Sequence, residues 1–245
     1  MSGERSVMLV TGASRGIGAA VARQAAAAGY SVIVNYAASA GIAEALAKEI
    51  GNDSYAVRAD VGDEGAILAM FAELDDRFGR LDVLVNNAGI AGGYGTLDTY
   101  TVEALERLWS VNLTGPFVCA REAAHRMRAD GRGGSIVNIS SKAAVLGGPN
   151  EWVHYAASKG AIDTMTTGLA KELAPHNIRV NAVRPGLIES DFHLFATPGR
   201  IERMTPMVPM QRVGTPDEVA EAVLWLASPA ASYVTGAFIE VTGGR

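Results

Sequence analysis

Seven short runs of apolar, largely β-branched residues, at 6–11, 31–35, 54–59, 82–86, 135–140, 178–183 and 237–241, alternate with helical stretches near 17–28, 40–50, 63–78, 101–130, 154–174 and 216–227. A strand that is repeatedly followed by a helix returns to the same sheet by a crossover, which makes neighbouring strands parallel and covers both faces. The alternation therefore predicts an α/β, Rossmann-type doubly wound fold with a seven-stranded, mostly parallel sheet and helices on both faces. Helix punctuation agrees with it. Gly29 stands at an expected helix stop, Ser39 and Thr101 precede helical patterns as N-caps, and Thr215-Pro216-Asp217-Glu218 is a good helix start. No linker, repeat or low-complexity tract divides the chain, so one domain is expected over 1–245. Its least regular stretch, 189–214, carries Pro198, Pro206 and Pro209 and reads as a mobile lid or flap.

Composition narrows the function classes. Half the residues are apolar, ample for one large core. Net charge is −5 and no basic block of five or more residues occurs, which argues against nucleic acid as a partner, since phosphate neutralisation needs clustered cations. The single cysteine, Cys119, excludes an internal disulfide and reads as a small buried hydrophobe. The first apolar run passes straight into a glycine motif, and no apolar stretch reaches membrane-spanning length, so a soluble cytoplasmic protein without a membrane partner is expected. The four histidines are scattered and match no metal spacing; no metal site is expected.

The first motif is Thr11-Gly12-Ala13-Ser14-Arg15-Gly16-Ile17-Gly18, between the first strand and an Ala-rich helix. Glycine lets the backbone turn sharply and approach a pyrophosphate closely, and the helix N-terminus adds unpaired N–H groups and a positive dipole. Its spacing is G-x-x-x-G-x-G rather than G-x-G-x-x-G, and the absence of Lys-Ser/Thr after the last glycine excludes a nucleotide-hydrolysing P-loop. A plain strand-to-helix turn is the alternative.

Together with Asn86-Asn87-Ala88-Gly89 and Tyr155-Ala156-Ala157-Ser158-Lys159, this motif resembles the signature of the short-chain dehydrogenases/reductases, among them the 3-oxoacyl carrier-protein reductases and the sugar and polyol dehydrogenases. The resemblance runs from Val7 to Gly244. It implies a dinucleotide-binding half at about 1–140, a catalytic and substrate-loop half at about 141–245, and a homotetramer.

For the coenzyme, the second strand ends Val34-Asn35-Tyr36-Ala37-Ala38-Ser39 without the acid that normally binds the adenosine ribose of NAD. No carboxylate is there to repel a 2′-phosphate, and Arg15 could pair with one, with hydrogen bonds from Asn35 and Ser39. NADP(H) is expected over NAD(H), although Arg15 also reads as a solvated surface charge. By resemblance, Asp60-Val61 would hold the adenine and Asn87, Ala88 and Gly89 would line the adenosine half. Asp60 could equally cap a helix, and the paired asparagines could be architecture.

Tyr155 and Lys159 are four apart on a helical pattern and project from one face. A phenol titrating near ~10 is a poor acid at neutral pH, and a nearby ammonium is expected to lower that value. The resemblance makes Tyr155 the general acid/base, Lys159 the ligand of the nicotinamide ribose, Ser141 the hydroxyl on the substrate oxygen, and Asn112 a helix-interrupting residue that completes a proton relay. Ser141 lies one residue further from the tyrosine than in relatives, so Ser140 stays an alternative. Pro185, Gly186, Ile188 and Ser190 resemble the nicotinamide-side loop. Arg184 reads as a substrate-anion contact or a surface charge, and His154 as a substrate-facing or a neutral loop residue. Phe192, Phe195, Met204, Met207 and Met210 could line an apolar pocket, meet another subunit or simply pack.

The activity expected is hydride transfer between NADP(H) and a small carbonyl or alcohol. An isomerase or lyase on the same scaffold, or a silent dinucleotide sensor, are the alternatives.

Overall fold

The computed structural model describes residues 5–190 and 199–245. Seven strands form one sheet: β1 (Val7–Val10), β2 (Ser31–Tyr36), β3 (Tyr55–Arg58), β4 (Val83–Asn86), β5 (Gly134–Ile139), β6 (Ile178–Pro185) and β7 (Phe238–Val241). Their order is β3-β2-β1-β4-β5-β6-β7 and every pairing is parallel, where a mostly parallel sheet was expected. β1, β2 and β4 are buried along their whole length, which is why they read as continuous apolar runs.

Residues successive along a strand face opposite sides, and two cores result. Met8, Val10, Val32 and Val34 pack on one face with α1 (Gly16–Ala27), α2 (Ala40–Ile50) and α9 (Pro216–Ala227). Leu9, Ile33, Leu84 and Ile136 pack on the other with α3 (Glu64–Phe78), α5 (Gly115–Asp130) and α7 (Val153–Leu173). The chain winds outward in both directions from the β1/β4 boundary. In open α/β sheets the crevice at such a switch point, beyond the strands' carboxyl ends, is where ligands bind.

The helix ends follow the sequence closely. Thr101 accepts from the Ala104 N–H at 3.2 Å, and Thr215 and Glu218 form a reciprocal capping box. Ser39 makes no capping bond. The helix expected over 101–130 is interrupted: α4 (Val102–Trp109) passes into a π turn, Ser110–Thr114, before α5 begins. Pro116 has no N–H to give the Asn112 carbonyl, so the regular hydrogen-bond ladder fails there, and such π turns are frequent at functional sites.

Within 189–214, Glu189 and Gly214 bridge backbone to backbone, and α8 (Arg200–Met204) leads into a short 3₁₀ turn, Thr205–Met207. Phe192, Phe195 and Pro198 lie outside the described residues. A four-residue helix, α6 (Ala143–Leu146), occupies the loop between β5 and α7.

Candidate active site

A cleft of about 960 Å³ opens at the carboxyl edge of the sheet. Gly12, Ser14, Arg15, Gly16, Ile17, Asn35, Tyr36, Ser39, Asp60, Val61, Asn87, Ala88, Gly89, Ser141, Tyr155, Lys159, Pro185, Gly186, Ile188 and Ser190 all line it. Of the catalytic and coenzyme residues expected from sequence, Gly18 and Asn112 are the two that do not line it.

At one end the wall is mostly backbone. Gly12 has φ +61°, and a Cβ there would stand 2.8 Å from the Ala88 Cα. Gly18 serves differently: a Cβ would fall 2.6 Å from the Asn87 side-chain nitrogen, which donates to the carbonyls of Thr11 at 2.9 Å and Gly12 at 3.0 Å. The Thr11 hydroxyl in turn accepts from the N–H groups of Asn87 and Ala88, both at 3.0 Å. The turn after β4 is thus latched onto the turn after β1. Asn87 is largely architecture, and Thr11 is a fastening residue that the sequence reading passed over.

Asn35 serves the frame from within the cleft wall. It is buried, its Oδ1 accepts from the Gly12 N–H at 3.1 Å, and its Nδ2 donates to the Ala59 carbonyl at 3.0 Å. Its amide holds three strand ends together at the cleft wall. Arg15 and Ser39 do meet at the cleft, Nη2 donating to the hydroxyl at 2.7 Å. Arg15 is the N-cap residue of α1, and that helix has neither a side-chain cap nor an acid in its first turn. Its first N–H groups and positive dipole end face the cleft without a built-in anion.

Asp60 does not cap α3; Asp63 does, accepting from the Ala66 N–H. Asp60 instead accepts from the Gly62 N–H and from Arg107, both at 2.8 Å. Burial acts to raise its pKa, but those two bonds win and hold it below the usual carboxylate range. Arg107, another cleft residue without a sequence signal, comes from α4.

At the other end the wall is side chain. Tyr155 and Lys159 project from α7 into the cleft, the ammonium 5.8 Å from the phenol ring centroid. Lys159 Nζ donates to the Ile139 carbonyl at 2.7 Å. Burial pulls its pKa down to about 8, against the opposing charge of Asp163. Burial likewise pushes Tyr155 up to about 12; the hydrogen bond with Ser141 and the charge of Arg200 offset only part of it. Burial of the phenol outweighs the neighbours that lower its pKa, Ser141 first and then Arg200.

The two serines separate cleanly. Ser140 is buried and donates to Asp163 Oδ1 at 2.6 Å, whereas Ser141 bonds Tyr155 and caps its own loop by accepting from the Ala143 N–H at 3.1 Å. Asn112, in the π turn, accepts from the Ile90 N–H and donates to the Ile90 carbonyl, both at 2.9 Å, and donates to Ser158 at 3.1 Å. That ties the loop after β4 to α7 at the residue next to Lys159.

Two open readings close here. Arg184 is no cleft residue: it pairs with Asp163 at 2.9 Å and with Glu240 at 3.5 Å, and it stacks on Phe238. His154 sits in the first turn of α7, buried, with its ring 3.9 Å from that of Tyr100 and Nε2 at 3.1 Å from the Gly92 carbonyl. Burial lowers its pKa, so it is a neutral packing residue. Met204 lines the cleft; Met207 and Met210 are exposed. Among the described residues no group of His, Cys, Asp or Glu is placed to hold a metal, and no helix is long and apolar enough to cross a membrane.

A glycine-cradled switch-point crevice with a buried Tyr and Lys and a half-buried Ser at its far end is the arrangement of a dehydrogenase or reductase, and similarity to known proteins agrees. A family model described as enoyl-(acyl carrier protein) reductase matches residues 12–245. The uncharacterized oxidoreductase YgfF of Escherichia coli K12 is 48% identical over 98% of this chain and 100% of its own. The 3-oxoacyl-[acyl-carrier-protein] reductase FabG of Staphylococcus aureus N315 is 42% identical over 96% of each. A crystal structure of 3-ketoacyl-(acyl-carrier-protein) reductase from Brucella melitensis complexed with NADH superposes with a TM-score of 0.92 at 35% identity, covering 99% of this chain and 98% of that one. The chain belongs to the short-chain dehydrogenase/reductase family of oxidoreductases.

Proposed function

We propose that this protein transfers hydride between NADP(H) and a small carbonyl or alcohol substrate, with Tyr155 as general acid/base. The observation that carries the reading is the convergence of the glycine turn, Ser141, Tyr155 and Lys159 on one cleft. The residues present fit a dinucleotide: the cradle at Gly12 and Gly16 is backbone with positive φ, and the uncapped end of α1 suits a pyrophosphate. Gly12, Ser14, Gly16 and Ile17 would hold that group, Asp60 and Val61 the adenine, Asn87, Ala88 and Gly89 the adenosine side, and Pro185, Gly186, Ile188 and Ser190 the carboxamide side. Arg15 and Ser39 would take the 2′-phosphate. The Brucella relative carries NADH, which supports the coenzyme class; the preference for NADP(H) rests on this chain's own Arg15 and on the missing acid after β2.

The bound nicotinamide supplies or accepts the hydride. Tyr155 gives its proton to the substrate oxygen, and a phenol held near 12 is fully protonated at neutral pH, the form that reduction needs. The Ser141 hydroxyl donates to the same oxygen as charge develops on it. Lys159, beside Gly89, would bind the ribose hydroxyls. Asn112 holds the Ile90 loop against α7 and completes the path by which Tyr155 is reprotonated. A cytoplasmic homotetramer belongs to the same proposal, supported by Trp109 and Phe117, which α4 and α5 leave exposed.

The test is coenzyme oxidation over a panel of ketones. NADPH is expected to outperform NADH. Ala37→Asp, an exposed cleft position just past β2, should lower kcat/KM for NADPH by about tenfold or more through like-charge repulsion. Failure of both coenzymes with every carbonyl would refute the reading.

A further inference from the structure

Five polar side chains form one continuous network whose two ends, Ser140 and Lys142, line the cleft. Ser140 Oγ, just past β5, donates to Asp163 Oδ1 at 2.6 Å. The other carboxylate oxygen, Oδ2, accepts from Arg184 Nε at 3.1 Å and Nη2 at 2.9 Å. Arg184 Nη1 reaches Glu240 Oε1 at 3.5 Å, and Glu240 Oε2 accepts from Lys142 Nζ at 2.7 Å. Arg184 and Glu240 are register partners on β6 and β7, so the network spans three strand ends and α7.

The side chains of Asp163 and Arg184 are only 14% and 19% exposed. An ion pair so far removed from water adds little net stability, because desolvation offsets most of its attraction. What a satisfied network of this kind does fix is position. Ser140 Oγ also lies 3.2 Å from the Lys159 carbonyl, so one hydroxyl joins the end of β5 to both Lys159 and Asp163 on α7. The next residue, Ser141, hydrogen-bonds Tyr155. Asp163 stands four residues past Lys159, on the same side of the helix, and its charge opposes the loss of the ammonium that burial favours. Tyr155 on the same helix, Ile139 on β5 and Gly89 after β4 also lie beside that ammonium, and none of them is a carboxylate.

We propose that Asp163 is a positioning residue for the reaction: clamped by Arg184, it locks the strand end that bears Ser141 onto the turn that bears Lys159, and it keeps one negative charge within a turn of that ammonium. The inference rests on the reductase reading and adds the residues that hold its catalytic groups in register. Asp163 and Arg184 share one clamp but act on Lys159 with opposite sign. Removing either opens the clamp; only the charge left behind differs.

The chain has four lysines, Lys48, Lys142, Lys159 and Lys171, so the Lys159 side chain can be titrated by NMR in the full chain without coenzyme, its signal assigned by its loss in Lys159→Met. In the wild type it should titrate at about 8. Asp163→Asn should move that midpoint down to about 7, the scale of a lost opposite charge, and Arg184→Gln should move it up. The rate of carbonyl reduction should follow, with its decline at high pH starting earlier in Asp163→Asn and later in Arg184→Gln. Ser140→Ala, which opens the clamp without changing charge, should lower kcat by about tenfold through misplacement and leave the midpoint where it was. A purely structural clamp would move the two charge variants in the same direction or not at all, and either result overturns the proposal. If Asp163→Asn fails to fold, the sign of the Arg184→Gln shift decides. Opposed shifts without reduction of any carbonyl would uphold the clamp on Lys159 and count against the reductase reading alone.

Discussion

The two ends of the cleft are built from different materials. Around Gly12 and Gly16 the wall is main chain, and its fastenings, Thr11, Asn35 and Asn87, are polar side chains spent on neighbouring backbone. Around Tyr155 the wall is buried side chain, and the important quantities are desolvation and charge, which hold Lys159 near 8 and Tyr155 near 12. A main-chain site fails when backbone moves. A side-chain site fails when one functional group is removed, and the fold survives. Substitutions at the two ends should therefore separate stability from chemistry.

The largest effect is expected at the side-chain end. Tyr155→Phe should lower kcat by about 10³-fold, within the range for a lost general acid, while melting temperature and coenzyme affinity by fluorescence titration stay near wild type. Retained turnover would remove Tyr155 from its role. Next comes the main-chain end. Gly12→Ala meets both a positive φ and the Ala88 backbone, and it should cost about 2 kcal/mol or more in chemical denaturation and weaken coenzyme binding. If stability held and only turnover fell, the contrast between the ends would be wrong.

A third, smaller effect is in pH. Lys159 keeps its charge below about 8 and loses it above, and Tyr155 stays protonated throughout. The rate of carbonyl reduction should be level through neutrality and decline as pH rises past about 8. A decline beginning only near pH 10 would mean that Lys159 is not desolvated as described. The smallest effect sharpens the glycine argument: Gly41, in α2 with open space around its Cα, should gain roughly 0.5–1 kcal/mol as Gly41→Ala.

What was legible follows the same division. The glycine turn could be read because its conformation is a local property, needing only a strand before it and a helix after it. Tyr155 and Lys159 could be read because helix periodicity puts them on one side. The break at Asn112 did carry a signal, Pro116 four residues on, but a proline early in a long helical pattern also reads as an ordinary first-turn residue, and only the Asn112–Ile90 bonds tell the two apart. Arg107, Arg200 and Arg245 had no signal at all. Each belongs to a different part of the chain, and a lone arginine in sequence is indistinguishable from a solvated one.

The amino-acid order was enough to fix the strand–helix alternation, the parallel sheet, the pyrophosphate-sized turn and the Tyr-Lys spacing, since these are set by periods of two and 3.6 residues and by the steric freedom of glycine. Folding in space decided which polar groups are spent on the frame, as with Asn35 and Ser140, and which are left facing the cleft, as with Ser141. It also decided the burial of Tyr155 and Lys159 and the meeting of Arg200 with Glu151 and Trp152. Burial and long-range charge depend on who the neighbours are, and strands distant in sequence become neighbours only once the sheet has formed.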